Sequence, residues 1–197
     1  MNNEAINQNH DFNYGVLKMV SCSSLISRKR VELIIEALGG ITGVNIEWTH
    51  IGTGPQKDHL ENLAQKTLSI HKNIKFEFKG HLENREVYLF YKKSNIDLFI
   101  NVSSSEGIPV SMMEALSFSI PIIATNVGGV SELVSSNNGF LLNPNPTPEE
   151  IRQAIYKFHE LSMESRLALR QQAYDTWKNK FNAETNYTSF IEDILRL

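Results

Sequence analysis

A doubly wound α/β fold, with about six parallel strands followed by carboxyl-terminal helices, is the architecture this sequence of 197 residues predicts. Three observations lead there. From Leu17 onward, short apolar runs alternate with longer amphipathic ones, which is the pattern of βαβ units around a parallel sheet. Hydrophobic residues make up 41% and charged residues 21%, an ordinary globular composition at a length that suits one medium domain. After Pro144 the alternation stops and only helical patterns remain.

The strand candidates are Leu17–Cys22, Val44–Ile51, Ile74–Lys79, Ile96–Val102, Ile120–Ala124 and Phe140–Leu142. Helical patterns fill the intervals at Arg30–Leu38, Lys57–Ser69, Arg85–Lys93, Val110–Leu116 and Val130–Val134. Crossovers of this kind are right-handed, and ligands bind outside the carboxyl ends of the strands in such a Rossmann-like sheet. Four loops therefore line the expected cleft: Ser23–Arg30, Gly52–Pro55, Gly80–Glu83 and Ser103–Pro109. Thr147-Pro148-Glu149-Glu150 reads as a helix start, with threonine as cap, proline in the first turn and acids at the positive end. Helices are expected over Glu149–Leu161, Glu164–Phe181 and Ala183–Leu197. Residues 1–14 lack periodicity and read as a linker, which leaves residues 15–197 as the domain.

The net charge of −3 gives no electrostatic case for nucleic-acid binding, so an anion site must be local. Cys22 is the sole cysteine and lies in an apolar run, which excludes a disulfide framework and favours an inert thiol. His10, His50, His59, His71, His81 and His159 show no metal-ligand spacing, and no metal is expected. The polar amino terminus has no signal-peptide pattern, and no stretch reaches the roughly 18 apolar residues of a membrane span. A cytoplasmic setting is expected, with peripheral contact at the inner membrane face left open.

The run Asn101-Val-Ser-Ser-Ser-Glu-Gly-Ile-Pro-Val-Ser-Met-Met-Glu-Ala115 concentrates the chemistry. A strand ends, a small polar loop turns, and a helix is expected to begin near Pro109, with the proline in its first turn. Free N–H groups and the helix dipole favour an anion there, and Gly107 lets a ligand approach the backbone. Glu106 and Glu114 bracket the helix start. Carboxylates so placed suit the hydroxyls of sugars, which come in vicinal pairs. On spacing alone, two solvated acids are an equally good reading.

Glu106 and Glu114, with seven residues between them, resemble the paired glutamates of the retaining glycosyltransferases of family 4, which have the GT-B fold. The neighbouring blocks agree in order: Phe78-Lys-Gly80-His-Leu82, Asp97-Leu-Phe-Ile100, Pro121-Ile-Ile-Ala-Thr125, Gly128-Gly129 and Glu132. The similarity runs from Leu17 to the end and corresponds to the carboxyl-terminal, donor-binding half of that fold. It implies a nucleotide-diphosphate sugar as donor substrate, a hexose-type transfer to an acceptor hydroxyl with retention, and no cofactor. It assigns Glu114 to the ribose, Glu106 to the donor sugar, and the backbone of Gly107, Ile108, Pro109 and Val110 to sugar and phosphates. His81 and Leu82 would meet the base. Lys29 would neutralise the diphosphate, and Glu106 and Lys29 are the catalytic candidates. Where relatives carry an arginine, this chain has Ser24, so Arg28 or Arg30 is left to supply the charge, with Arg30 favoured as a surface residue. Gly52 and Gly54 resemble a phosphate loop, though a tight turn lining the same cleft is the preferred reading.

The resemblance also implies an amino-terminal acceptor-binding domain facing this one, with a glycan or lipid-linked sugar as acceptor in polysaccharide synthesis. Other arrangements remain open: the donor-binding subunit of a split enzyme, a non-catalytic nucleotide-sugar-binding domain, or a related epimerase or phosphorylase.

Overall fold

The computed structural model describes residues 15–182; the expected helix Ala183–Leu197 and the linker reading of residues 1–14 fall outside them. Six strands form one all-parallel sheet: β1 Leu17–Cys22, β2 Ile46–Ile51, β3 Ile74–Gly80, β4 Leu98–Asn101, β5 Ile122–Thr125 and β6 Gly139–Leu142. Their spatial order is β3-β2-β1-β4-β5-β6. The order reverses between β1 and β4, which pair at Met19↔Leu98 and Val20↔Phe99. A crevice opens at such a switch point, at the carboxyl ends of the two strands.

Among the described residues seven α-helices connect and flank these strands: α1 Val31–Gly39, α2 Lys57–Leu68, α3 Asn84–Ser94, α4 Val110–Ser117, α5 Val130–Leu133, α6 Pro148–His159 and α7 Met163–Lys180. Side chains alternate across each strand, so the sheet feeds two separate cores. Met19, Trp48, Leu98, Ile100 and Ile123 pack on one face against Ile34, Leu60, Ile155 and Phe158 of α1, α2 and α6. Val20, Phe99, Ile122 and Ala124 pack on the other against Tyr91, Met112, Leu116, Val130 and Ala173. All four residues of β4 and of β5 are buried, as covering on both faces demands.

Caps fix the helix starts. The Thr147 hydroxyl accepts from the Glu150 N–H at 3.2 Å with Pro148 in the first turn, as the sequence predicts. Ser162 caps α7 in the same way, and Glu83 and Glu86 form a capping box at α3. Most expected boundaries shift by one or two residues, β5 for instance beginning at Ile122 rather than Ile120. β2 begins at Ile46 rather than Val44, because Gly43 turns at φ 73° and the Asn45 side chain is spent on the Gly15 carbonyl. β4 begins at Leu98 rather than Ile96, since the Asp97 carboxylate accepts from the Lys18 N–H at 2.8 Å. Pro109 is the cap before α4 (φ −73°, ψ 119°), one residue earlier than the first-turn position expected.

Candidate active site

Lys29 stands on a short 3-10 turn, Ser27–Lys29, beyond β1, and Glu106 lies in the loop beyond β4. Across the switch-point crevice the Lys29 ammonium donates to Glu106 Oε1 at 2.6 Å, and both side chains are largely buried (14% and 9% exposed). Asn101, the last residue of β4, donates to the same oxygen at 3.1 Å, while its side-chain Oδ1 accepts from the Ser103 N–H. Burial pushes the Glu106 carboxyl up, but hydrogen bonding from Lys29, Ser103 and Asn101, together with the Lys29 charge, outweighs it and holds the group below the usual carboxylate range.

Glu114 lies on the second turn of α4, half-buried beside Met113 and Ala115. Its carboxylate has no hydrogen-bond or ion-pair partner among the described residues; only its backbone carbonyl is engaged, by the Ser117 hydroxyl at 2.6 Å. Burial alone raises its carboxyl above the ordinary value. Its charge is felt by Cys22, Tyr88 and Tyr91, and burial, then Glu114, pushes the Cys22 thiol up to about 11. The thiol is therefore protonated near neutrality, in keeping with an inert cysteine.

Glycines let the loops touch. At Gly128 (φ 52°) a Cβ would lie 1.8 Å from the Glu106 carbonyl oxygen, and the Gly129 N–H donates to the Gly107 carbonyl at 3.1 Å. Gly128-Gly129 thus buttresses the Glu106 loop from behind. At Gly52 and Gly54 a Cβ would meet the Ser23 oxygen at 1.9 Å and the Leu25 oxygen at 2.5 Å. Both glycines serve close backbone contact with the β1–α1 loop, in line with a turn lining the cleft. Gly107 differs: a Cβ there would meet nothing within 4 Å, so this face is open. Ile108 and Val110 beside it are exposed, and Pro109 is buried.

Arg30 is not the surface residue expected. It caps α1 with φ 49°, a left-handed conformation costly for a side chain of this size, and is held there by its own contacts. Its guanidinium donates to the carbonyls of Val102, Ser103 and Pro144 at 2.7, 2.9 and 2.8 Å, and to Asn145 Oδ1. Those bonds tie three cleft loops together and leave Arg30 committed to structure. Arg28 and Ser24 are exposed at the cleft mouth, and the Arg28 carbonyl accepts from the Ser104 N–H at 2.8 Å. His81 is exposed and 3.3 Å from Glu83, and Leu82 packs partly into the core beside α3.

The sequence profile of the glycosyl transferases group 1 matches residues 2–176. The chain belongs to that family. A glycosyltransferase of Methanocaldococcus jannaschii, MJ1178, is 30% identical over 159 residues, covering 79% of this chain and 42% of its own. The N-acetyl-alpha-D-glucosaminyl L-malate synthase of Bacillus anthracis is 25% identical over 189 residues, covering 90% of this chain and 46% of its own. The chain thus spans less than half the length of these relatives. Among solved structures, Anabaena HepE in complex with UDP and glucose superposes with a TM-score of 0.74 at 20% identity, covering 93% of this chain and 49% of that one. The group 1 domain therefore has the α/β architecture of a GT-B glycosyltransferase domain, with its six-stranded sheet and carboxyl-terminal helices.

Of the residues singled out from the sequence, Lys29 and Glu106 come into contact and Glu114 lies on the adjoining helix, while Asn101 as a Glu106 partner and Arg30 as a staple of the cleft loops were not expected. Asn101 at the end of an apolar strand was the available signal. Among the described residues no group of three His, Cys, Asp or Glu side chains could hold a metal, and no helix is long and apolar enough to cross a membrane.

Proposed function

We propose that this domain binds a nucleoside-diphosphate sugar in the β1/β4 crevice, as the donor half of a retaining, family 4-type glycosyltransferase. The supporting observation is the half-buried Glu114 carboxylate without a partner among the described residues, one loop away from the Lys29–Glu106 pair. A carboxylate so placed gains acceptable surroundings when vicinal ribose hydroxyls donate to it. Lys29 then faces the diphosphate, Glu106 the donor sugar, and the open backbone at Gly107–Val110 the phosphates and sugar. His81 and Leu82 border the base, with Arg28 and Ser24 at the rim. The Anabaena neighbour is described with UDP and glucose, so UDP-glucose is the first donor to try.

In the transfer, the bond from the anomeric carbon to the diphosphate oxygen breaks, one to the acceptor oxygen forms, and the acceptor's hydroxyl proton passes to the departing diphosphate. Negative charge grows on the departing diphosphate, and Lys29 is the cation positioned to stabilise it; removal of one such donor typically costs about 100- to 1000-fold. Acceptor contacts are assigned to a second domain, and the product to glycan synthesis. The test mixes this chain with labelled UDP-glucose and hexose-terminated acceptors, with and without the amino-terminal half of a group 1 relative. Donor binding with transfer only in the mixture is the expected result. Rapid transfer by the chain alone would refute the division of labour, and failure to bind any nucleotide sugar would refute the donor site.

A further inference from the structure

A buried polar chain runs beneath the carboxyl ends of β1 and β2, outside the set of cleft residues described above. Trp48 Nε1–H donates to Ser21 Oγ at 3.0 Å, Ser21 Oγ lies 2.8 Å from His50 Nδ1, and His50 Nε2 lies 3.1 Å from the Ser23 carbonyl oxygen. All three side chains are buried. A carbonyl can only accept, so His50 carries a hydrogen on Nε2. Burial pushes the imidazole down to about 4, so the ring is neutral near pH 7 and Nδ1 is left as an acceptor for the Ser21 hydroxyl. That in turn leaves Ser21 lone pairs for Trp48. Each member is satisfied, and the direction of every bond is fixed, which is the condition under which a buried polar chain rigidifies its surroundings.

The chain ends on a backbone group of the β1–α1 loop, the loop that carries Lys29. Gly52 makes the room: a Cβ there would sit 1.9 Å from the Ser23 oxygen and 3.4 Å from His50 Nε2. The Ser23–Ser24 peptide is trans, so its C=O and the following N–H point in opposite directions. With the oxygen drawn towards His50, the Ser24 N–H is turned outward to the exposed mouth of the crevice. It donates to no group among the described residues, whereas the flanking Ser23 and Leu25 N–H groups are bonded to Ile51 and Thr53 carbonyls.

We propose that Trp48, Ser21 and His50 are positioning residues that aim the Ser24 N–H at a phosphate oxygen of the nucleoside diphosphate, making it a neutral donor beside Lys29. This rests on the donor-site reading above. A preorganised N–H costs no reorientation when charge develops, which is why backbone donors serve at such positions.

The test uses the whole chain with two probes, UDP and inorganic pyrophosphate, and uridine as control. In wild type, the Ser24 amide resonance shifts on titration with either phosphate probe. His50→Phe lowers affinity for UDP and pyrophosphate about tenfold, the size of one hydrogen bond, and leaves uridine unchanged. His50→Gln, which keeps one acceptor and one donor on the side chain, recovers most of the loss. Ser21→Ala gives the same selective loss and frees the His50 tautomer, visible in its ring nitrogen shifts. A Ser24 amide unmoved by saturating UDP and pyrophosphate overturns the proposal while leaving UDP binding, and so the donor site, intact. Equal loss of uridine and UDP in His50→Phe also overturns it. A Ser24 amide that shifts with pyrophosphate in a chain that ignores UDP supports the positioning chain and refutes the donor reading instead.

Discussion

Glu106 and Glu114 bracket one loop-to-helix segment and have opposite surroundings. Glu106 is held by the Lys29 ammonium and the Asn101 amide on a single oxygen, with its loop braced from behind by Gly128. Glu114 has apolar neighbours and no partner for its carboxylate among the described residues. One acid is tied into the structure, and the other, under the proposed donor-site reading, is stabilised only by what binds. The difference separates an acid that braces the crevice from one left open to it, although both look alike in sequence.

The largest effect should come from breaking the satisfied side. Lys29→Ala leaves Glu106 nearly buried without its cation, and loss of one partner of a buried pair costs about 3 kcal/mol. For a domain of this size that is a Tm fall of about 6–12 °C. The Lys29→Ala/Glu106→Ala double variant should lose clearly less than the two single variants summed, because neither charge is then stranded. Thermal unfolding of the three variants checks this, and strict additivity would show that the pair is not coupled. On the ligand side, Lys29→Ala should weaken UDP more than uridine, with the gap shrinking as salt rises.

Glu114 should behave in the opposite way. Glu114→Ala leaves the fold as stable as before, within about 0.5 kcal/mol, because no internal bond is lost. UDP binding should weaken by about 1.5–3 kcal/mol, the range for hydrogen bonds to a charged group. A 2′,3′-dideoxy analogue should bind wild type and variant alike. Calorimetry with both ligands decides it: equal losses would mean that Glu114 does not hold the ribose.

The contrast also marks how far the sequence could be read. The strands and the two-sided sheet were legible because Leu98, Phe99, Ile100, Ile122 and Ile123 form apolar runs that only a twice-covered sheet explains. The paired glutamates were legible through their spacing and the blocks around them. What each carboxylate touches was not, because the partners of Glu106 arrive from β1 and β4 through the topology. Arg30 was misread for the same reason: its carbonyl partners lie 72 to 114 positions away. His50 showed no ligand spacing because its partners, Ser21 and Ser23, sit on and just beyond the neighbouring strand, which the parallel register Ser21↔His50 brings alongside. Local pattern reveals elements, and long-range pairing decides what their polar residues do.

The smallest predicted effect uses pH to separate the two acids. The Glu106 carboxyl is held below the usual range, so its contribution to stability is complete above the ordinary carboxylate value of about 4.3 and is lost as pH falls through its depressed folded value. The Glu114 carboxyl is raised by burial, so the folded chain keeps that proton where the unfolded chain has released it. Its contribution is present below the unfolded value and lost as pH rises through the raised one. Ribose hydroxyls need the ionised acceptor, so acidification towards the carboxylate range should weaken UDP binding through Glu114 first, while the Lys29–Glu106 pair is still intact. The phosphates of UDP also gain a proton near pH 6, and that change is common to wild type and variants. Glu114→Gln removes the titrating group but keeps one acceptor, so the difference between its UDP affinity and that of wild type isolates the Glu114 contribution. That difference should be largest near pH 7 and shrink as pH approaches 4.5, followed by calorimetry at half-unit steps. Parallel pH profiles for the two proteins would show that the Glu114 carboxylate is not the group the ligand reads.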